Sequence, residues 1–371
     1  MKKIQENLSG KNINFLIGSG ASYPLFKTLD LGDDKPSLEE LLSSEQISEI
    51  NKKAIYYFYY VNWIKPMKEF DYSNVNSNVT ENYKTFINTV LFLLDTSGNE
   101  NPKRANIFTT NYDLLFEYSF EEVLKKRGNC YFNDGSRGFI NRVLNPQSYN
   151  LTVSEMGYYN NYKKEVSTIN LSKMHGSVSW TKSDNDINVF YEKQFKNIDS
   201  ISELNDIDFF KDILSNIKDK IDLKLFDDSL TKITSSCKDK IEKFYEQYKM
   251  LAIINPNKWK FHETVFEQHY YQLIRNFSYE LEKLNTILIV FAFSFADEHI
   301  EEIIKRAITN PTLEVYIICF REEDRKKISD KFGSERNIFY YPDSFTDSDG
   351  NKIFGNFEYF NKFLNGEYDD Q

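Results

Sequence analysis

With 371 residues, the chain has room for one large α/β domain or two ordinary ones, and for a substantial buried core. Its net charge of −10 argues against nonspecific binding to nucleic acid, and its aromatic content is high: 31 Phe, 25 Tyr and 3 Trp. Cys130, Cys237 and Cys319 form no C-x-x-C pair, which argues against a zinc ribbon or a local disulfide framework and fits a reducing cytosol.

The stretch Met1-Lys2-Lys3-Ile4-Gln5-Glu6-Asn7 meets polar residues immediately and lacks a signal-peptide apolar region. Asn14–Ser22, N-F-L-I-G-S-G-A-S, reads as a short buried strand feeding a tight glycine turn and then a helix start. A turn of this kind can bring backbone N–H groups and a helix dipole to a phosphate. Ser37 and Glu40 predict a capped helix start within Pro36–Leu42. The pattern stays helical from about Ile47 to Leu94; its aromatic run Tyr56–Tyr60 faces a groove or, as such runs more often do, packs on neighbouring helices.

Ala105–Thr110 reads as the second strand, ending in Asn111-Tyr112-Asp113 ahead of an amphipathic helix over Leu114–Lys126. Residues 128–162 read as a long loop region with short strands. Ser167–Met174 is a third strand, followed by His175-Gly176-Ser177-Val178-Ser179-Trp180. The charged stretch from Ser183 to about Met250 reads as mainly helical, over Ile198–Ile217 and Ile233–Tyr248. Leu251–Ile254 is a strand ending in Asn255-Pro256-Asn257-Lys258, and His262–Lys283 a long helix. Thr286–Phe293, the most apolar strand, ends in Ser294-Phe295-Ala296-Asp297 and precedes a helix over Glu298–Thr309. Leu313–Phe320 is a further strand, Glu322–Phe332 a charged helix, and the tail from Asn337 holds one short strand. The apolar run Thr286–Phe295 is about ten residues, where a membrane span takes roughly 20, so a soluble cytoplasmic protein without a membrane segment is expected.

Strands alternating with helices imply an α/β fold with a Rossmann-like parallel sheet. The whole chain, 1–371, reads as a single domain with helical insertions over 36–100 and 183–250 and a loop-rich region over 128–165. Five strand ends carry unusual polar residues: Gly18–Ser22, Thr109–Asp113, His175-Gly176, Asn255 and Ser294–Asp297. In a doubly wound sheet such ends converge on one edge, where ligands bind. Several of these residues have a plainer reading beside them. Asp113 can cap the helix that follows, His175 can sit in a turn, and Tyr112 can be packing. His262 and His269 share a helix face without a visible third ligand, and His299 reads as the beginning of a helix.

The set of motifs resembles the sirtuin fold. Gly18-Ser19-Gly20-Ala21-Ser22, Thr109-Thr110-Asn111-Tyr112-Asp113 and Met174-His175-Gly176 look like its three signatures in order. Tyr131–Gly135, His175–Trp180 and Phe291–Ile300 bring the chain nearest to the sirtuin-like domains of bacterial anti-phage systems, with Ala292 where glycine is usual and Ser19 where alanine is commoner. The resemblance implies that Gly18, Gly20, Ala21 and Ser22 hold the pyrophosphate of NAD, with Thr110 in the same pocket. It implies that Asn111 contacts the nicotinamide ribose and positions the attacking group, that Asp113 holds the nicotinamide side, and that His175 is the general base. Asn255 and Ser294 would bind the adenosine half, with Asp297 nearby.

That chemistry is coherent on its own terms. Breaking the nicotinamide–ribose bond builds an oxocarbenium-like centre; an Asn can orient water without adding charge, and a His can take a proton near neutral pH. The deacylase branch carries a four-cysteine zinc module, and the cysteines here are not paired, so no zinc is expected. The expected function is NAD⁺ glycohydrolase in anti-phage defence. The alternatives are an NAD-dependent protein deacylase, or a non-catalytic scaffold that binds NAD or ADP-ribose. Such an activity must be restrained, so self-assembly into a homo-oligomer or control by a partner is expected. No G-x-x-x-x-G-K-[ST] motif is present, so sensing is expected in another subunit. The resemblance to stand-alone sirtuin-like proteins of this size encoded beside a HerA-like hexameric ATPase implies that ATPase as the leading partner. The acidic charge argues against direct binding of nucleic acid.

Overall fold

Two kinds of strand build this protein, and the difference between them positions the site. The computed structural model describes residues 4–29, 37–98, 102–157, 159, 162–183, 186–191, 223–256, 264–333, 335–347 and 349–367. Its strands are β1 (Asn12–Ile17), β2 (Arg104–Thr109), β3 (Cys130–Asn133), β4 (Ser136–Arg137), β5 (Val143–Leu144), β6 (Ser154–Met156), β7 (Lys163–Glu165), β8 (Ser167–Lys173), β9 (Gly176–Ser183), β10 (Asp186–Val189), β11 (Leu251–Ile253), β12 (Thr286–Phe291), β13 (Leu313–Ile318) and β14 (Ile338–Tyr341). Its helices are α1 (Ile4–Leu8), α2 (Leu38–Ser43), α3 (Glu49–Tyr59), α4 (Lys65–Glu69), α5 (Asn78–Thr96), α6 (Leu115–Lys126), α7 (Leu223–Thr234), α8 (Lys238–Tyr248), α9 (Thr264–Glu282), α10 (Glu298–Ala307), α11 (Glu322–Phe332) and α12 (Phe357–Leu364).

Seven strands form one parallel sheet in the order β14-β13-β12-β1-β2-β8-β3. The chain begins at the centre, grows outward through β2, then returns to the other side of β1 with β12. The switch point of the sheet therefore lies between β1 and β12, where open α/β sheets bind ligands beyond the strand ends. On one face Phe15 and Ile17 pack with Phe86 of α5 and Phe360 of α12; on the other, Phe108 and Leu288 pack with Phe277 of α9 and Ile304 of α10.

A row of asparagines crosses this sheet. Asn106 donates to Asn14 (2.8 Å), Asn170 to Asn106 (2.8 Å) and Asn133 to Asn170 (3.0 Å), each pair at matching register positions. A buried amide is costly unless its hydrogen bonds are met, and a one-residue slip of any of these strands would break the row.

A second sheet, β11-β9-β10-β5-β4, is antiparallel throughout. This corrects two readings. Leu251–Ile253 pairs with β9 and not with the parallel sheet, and the stretch from residue 183 continues β9 into the β9–β10 hairpin before its helices. Of those helices, α7 and α8 are described; Ile198–Ile217, His262 and Asn257-Lys258 lie outside the described residues. The Tyr56–Tyr60 run is packing: Tyr57 meets Phe244 edge-on at 4.9 Å and Tyr56 lies against Tyr245 and Tyr248, all on α8. The Ser37–Glu40 capping box forms as expected. The tail holds a helix, α12, that the sequence reading omits.

Candidate active site

The glycine turn does not open an α-helix. A single 3₁₀ turn, Ser19–Ser22, follows it. The N–H of Gly18 donates to Phe291 O (3.0 Å) and that of Gly20 to Ala292 O (3.4 Å), so both are engaged with the end of β12. A side chain at Gly18 would collide with the Ala292 carbonyl, and one at Gly20 would press on the Ala292 methyl group. Ala292 itself sits at φ 55°, the left-handed region, which explains why glycine suits that position. The glycines here let two strand ends close on each other at the switch point.

Ser22 is where the turn reaches inward. It is buried, and its hydroxyl donates to Asp113 Oδ2 (2.7 Å). With its one proton committed, Ser22 Oγ accepts from Tyr83 OH (2.9 Å) and from Asn111 Nδ2 (3.2 Å). Burial, and next the charge of Asp113, hold the Tyr83 phenol well above its ordinary range, so it stays a donor. The amide of Asn111 is thereby fixed with its nitrogen toward Ser22. Its Oδ1 is buried and has no hydrogen-bond partner among the described residues. An unmet buried acceptor beside the switch point is what a ligand-binding group looks like before its ligand arrives.

Below this, Thr109 Oγ1 donates to Ile17 O (2.8 Å) and accepts from Asn111 N (3.1 Å), tying the ends of β1 and β2 together. Asp113 also accepts from the N–H of Leu115 (3.0 Å), the first residue of α6, while serving Ser22; the N-cap position itself is Leu114. Tyr112 is buried, and its hydroxyl donates to Ile254 O (2.8 Å); the N–H of Ile254 donates to His175 O (2.9 Å). Ile254, the residue that follows β11, thus links the Asn111 loop to His175. His175 stands where the chain leaves β8 for β9, with Gly176 at φ 87° making the turn. Its Nε2 lies 2.9 Å from Asp297 Oδ2, a charge contact that is not aligned as a hydrogen bond.

A family model for the SIR2-like domain matches residues 105–341. The chain belongs to the SIR2-like family. Members of this family are NAD-dependent enzymes. No curated protein matches the chain. The SIR2-like match starts in β2, yet the structure threads β1 and its glycine turn between β2 and β12, both inside the matched stretch.

The structure gathers Ser22, Asn111 and Asp113 in one network, and His175 with Asp297 in another. The remaining sites are less engaged. Asn255 lies two residues beyond β11, and its Oδ1 accepts from Tyr248 OH (2.5 Å). Ser294 is exposed and Thr110 half-buried. Among the described residues no three His, Cys, Asp or Glu side chains gather as metal ligands.

Three residues of the site were not singled out from the sequence: Tyr83, Glu117 and Lys173. Lys173, 2 % exposed, donates to the carbonyls of Asp113 and Asn111 (3.4 Å) and pairs with Glu117 at 3.2 Å. It therefore grips the backbone of the Asn111 loop from beneath. Burial pushes the Glu117 carboxyl up to about 7, with Lys173 pulling the other way. Folded Glu117 thus binds a proton more readily than the unfolded carboxyl, whose ordinary value is 4.5. The stability this supplies is full below pH 4.5 and is lost as pH rises through 7. Urea unfolding from pH 4.5 to 8 should show a wild-type contribution of up to roughly 3 kcal/mol that Glu117→Gln lacks. Parallel pH curves for the two proteins would exclude it.

Proposed function

We propose that the chain is an NAD⁺ glycohydrolase that cleaves the nicotinamide–ribose bond with water as acceptor. The observation that carries the reading is the buried, unpartnered Oδ1 of Asn111, aimed by a Ser22 whose own proton is committed to Asp113. Bound NAD supplies a cationic leaving group, so nicotinamide departs neutral with the bonding electron pair. Asn111 accepts from the attacking water and sets its line of approach without adding charge. His175 takes the water proton and returns it to solvent, so nicotinamide, ADP-ribose and one proton are the products. Ser22, Asp113 and Tyr83 keep Asn111 in its orientation. Gly18, Gly20, Ala21 and Thr110 border the diphosphate side, and Asn255 and Ser294 the adenosine side.

An enzyme that consumes NAD needs restraint. The chain carries no phosphate-binding loop of the G-x-x-x-x-G-K-[ST] type, so in our reading sensing resides in a partner, a HerA-like hexameric ATPase, on which copies of the chain assemble. Depletion of NAD would then end phage propagation. No observation favours the deacylase reading: Cys130, Cys237 and Cys319 supply no paired thiolates.

The test is to incubate the purified chain with NAD⁺, with and without the ATPase, and follow nicotinamide and ADP-ribose. Equimolar release in the presence of the ATPase is expected. Saturable NAD binding with no release in either arm would replace the enzyme with a scaffold.

A further inference from the structure

Lys173 closes β8 two residues before His175, and its side chain is withdrawn from water. We propose that Lys173 is a positioning residue that sets Asn111 against His175, by fastening the main chain of the Asn111 loop to the strand end that carries His175. This rests on the reading of Asn111 and His175 as the groups that act on the attacking water.

The backbone of the loop shows what the ammonium does. Asn111, Tyr112 and Asp113 are all buried, so their carbonyls need partners. Val178 N and Ser177 Oγ donate to Tyr112 O, at 3.0 and 3.3 Å. Lys173 Nζ donates to the carbonyls on either side, to Asn111 O at 3.4 Å and to Asp113 O in closer contact. One stretch, Lys173–Val178, therefore meets all three carbonyls, and His175 lies inside it. The two strands are in step where the loop leaves. Thr109 is the register partner of Lys173, and Met174 N donates to Thr109 O (2.8 Å). Asn111 N donates to Thr109 Oγ1 (3.1 Å) and Asn111 Nδ2 to Ser22 Oγ (3.2 Å). With its carbonyl on Lys173, every polar atom of Asn111 except Oδ1 is engaged.

A lysine ammonium has three donors and no acceptor. The third acceptor here is Glu117 Oε1, 3.2 Å away on the first turn of α6, the helix that the same loop feeds. Glu117 is thus the counter-charge that lets an ammonium stand beneath the loop. As an ion pair the two are incomplete, because Glu117 Oε2 is buried with no hydrogen-bond partner among the described residues. A buried pair of this kind contributes little to stability beyond what apolar side chains of the same size would. What apolar side chains cannot supply is a donor to each of two carbonyls two residues apart, and that is the part that orients Asn111.

Lys173→Met separates positioning from packing, since Met fills much of the same space without a donor. The double variant Lys173→Met/Glu117→Gln does so without leaving a buried carboxylate unpaired, and it decides the matter if the single variant fails to fold. In the full-length protein, amide exchange read by mass spectrometry should be about tenfold faster or more over residues 110–115, with β1 and β12 exchanging as in wild type. In the nicotinamide assay kcat should fall about tenfold or more while KM for NAD stays within a few-fold. Wild-type exchange over 110–115 in the double variant overturns the proposal. Faster exchange spread evenly over the whole sheet overturns it too, since that marks a lysine that only stabilises the fold, and so does a loss confined to KM. If wild type itself releases no nicotinamide but the loop still loosens in the variants, Lys173 remains the anchor of the loop and the hydrolase reading falls.

Discussion

Asn111→Ala should lower nicotinamide release at least about 10²-fold while leaving NAD affinity within a few-fold. The side chain is 5 % exposed, and its two amide ends do different work. Nδ2 is spent on Ser22, whereas Oδ1 has no partner among the described residues. Truncation removes the orphan acceptor, and with it the group that sets the line of attack. Ser22 loses one donor yet keeps Tyr83 and Asp113, so the fold is preserved and urea midpoints should change little. The loss belongs in kcat, because orienting water matters only as the reacting centre forms. Asn111→Asp is the informative companion. It keeps the shape, but it withdraws the donor to Ser22 and sets a second carboxylate close to Asp113. That variant should be inactive and less stable as well. A KM that rises with kcat intact would show Asn111 to be a binding group and would sink its assignment.

Much of this site was legible because its chemistry sits at strand ends. Apolar runs such as Phe15–Ile17 and Ile287–Phe291 mark buried parallel strands; Asp297 stands six residues beyond the second of them, and Asn111 and His175 each stand two residues beyond a strand end. Partners that come from the interiors of other elements left no local mark. Tyr83 reads as one more aromatic on an amphipathic helix, and nothing near it in sequence announces Ser22. Lys173 closes a strand, Ser167–Lys173, whose polar composition suggests a half-exposed edge, yet every residue of it is buried. Only the neighbouring strands, with their row of asparagines and the Glu117 carboxylate, make those polar groups tolerable in the interior.

The glycine turn shows a different limit. Gly18 and Gly20 look the same in sequence whether the backbone approaches a phosphate or another strand, and here the neighbour is Ala292. The strand β9 and the helix α12 are a third case, since their signals were present. Val178 and Trp180 alternate with serines in the period of a half-buried strand, and Phe357, Phe360 and Leu364 fall on one helical face. Both were overshadowed by neighbouring motifs or turn residues.

Gly176→Ala should be strongly damaging, and a comparison of four glycines explains why. Gly176 has φ 87°, where an added Cβ strains the backbone, and that Cβ would also run into the Ala252 carbonyl, with the Ala252 carbonyl carbon at 2.9 Å. Gly18 carries the collision without the strain: its φ is −101°, but Ala292 O blocks the side chain. Gly333, which ends α11 at φ 69°, carries the strain without the collision, and Gly128 carries neither. Urea unfolding should therefore rank the alanine variants. Gly128→Ala should be neutral or slightly stabilising, Gly333→Ala should cost about 1 kcal/mol, Gly18→Ala about 1–3 and Gly176→Ala about 2–5. The last variant should also lose activity beyond its loss of stability. To make room, β11 must move away from β9, and the bond from Ile254 N to His175 O is the first to stretch. Ile254 is also what Tyr112 holds, so the displacement reaches the Asn111 loop through the same residue. If Gly176→Ala and Gly333→Ala unfold at the same urea concentration, the close approach of β11 is wrong, and the link between His175 and Asn111 through Ile254 goes with it.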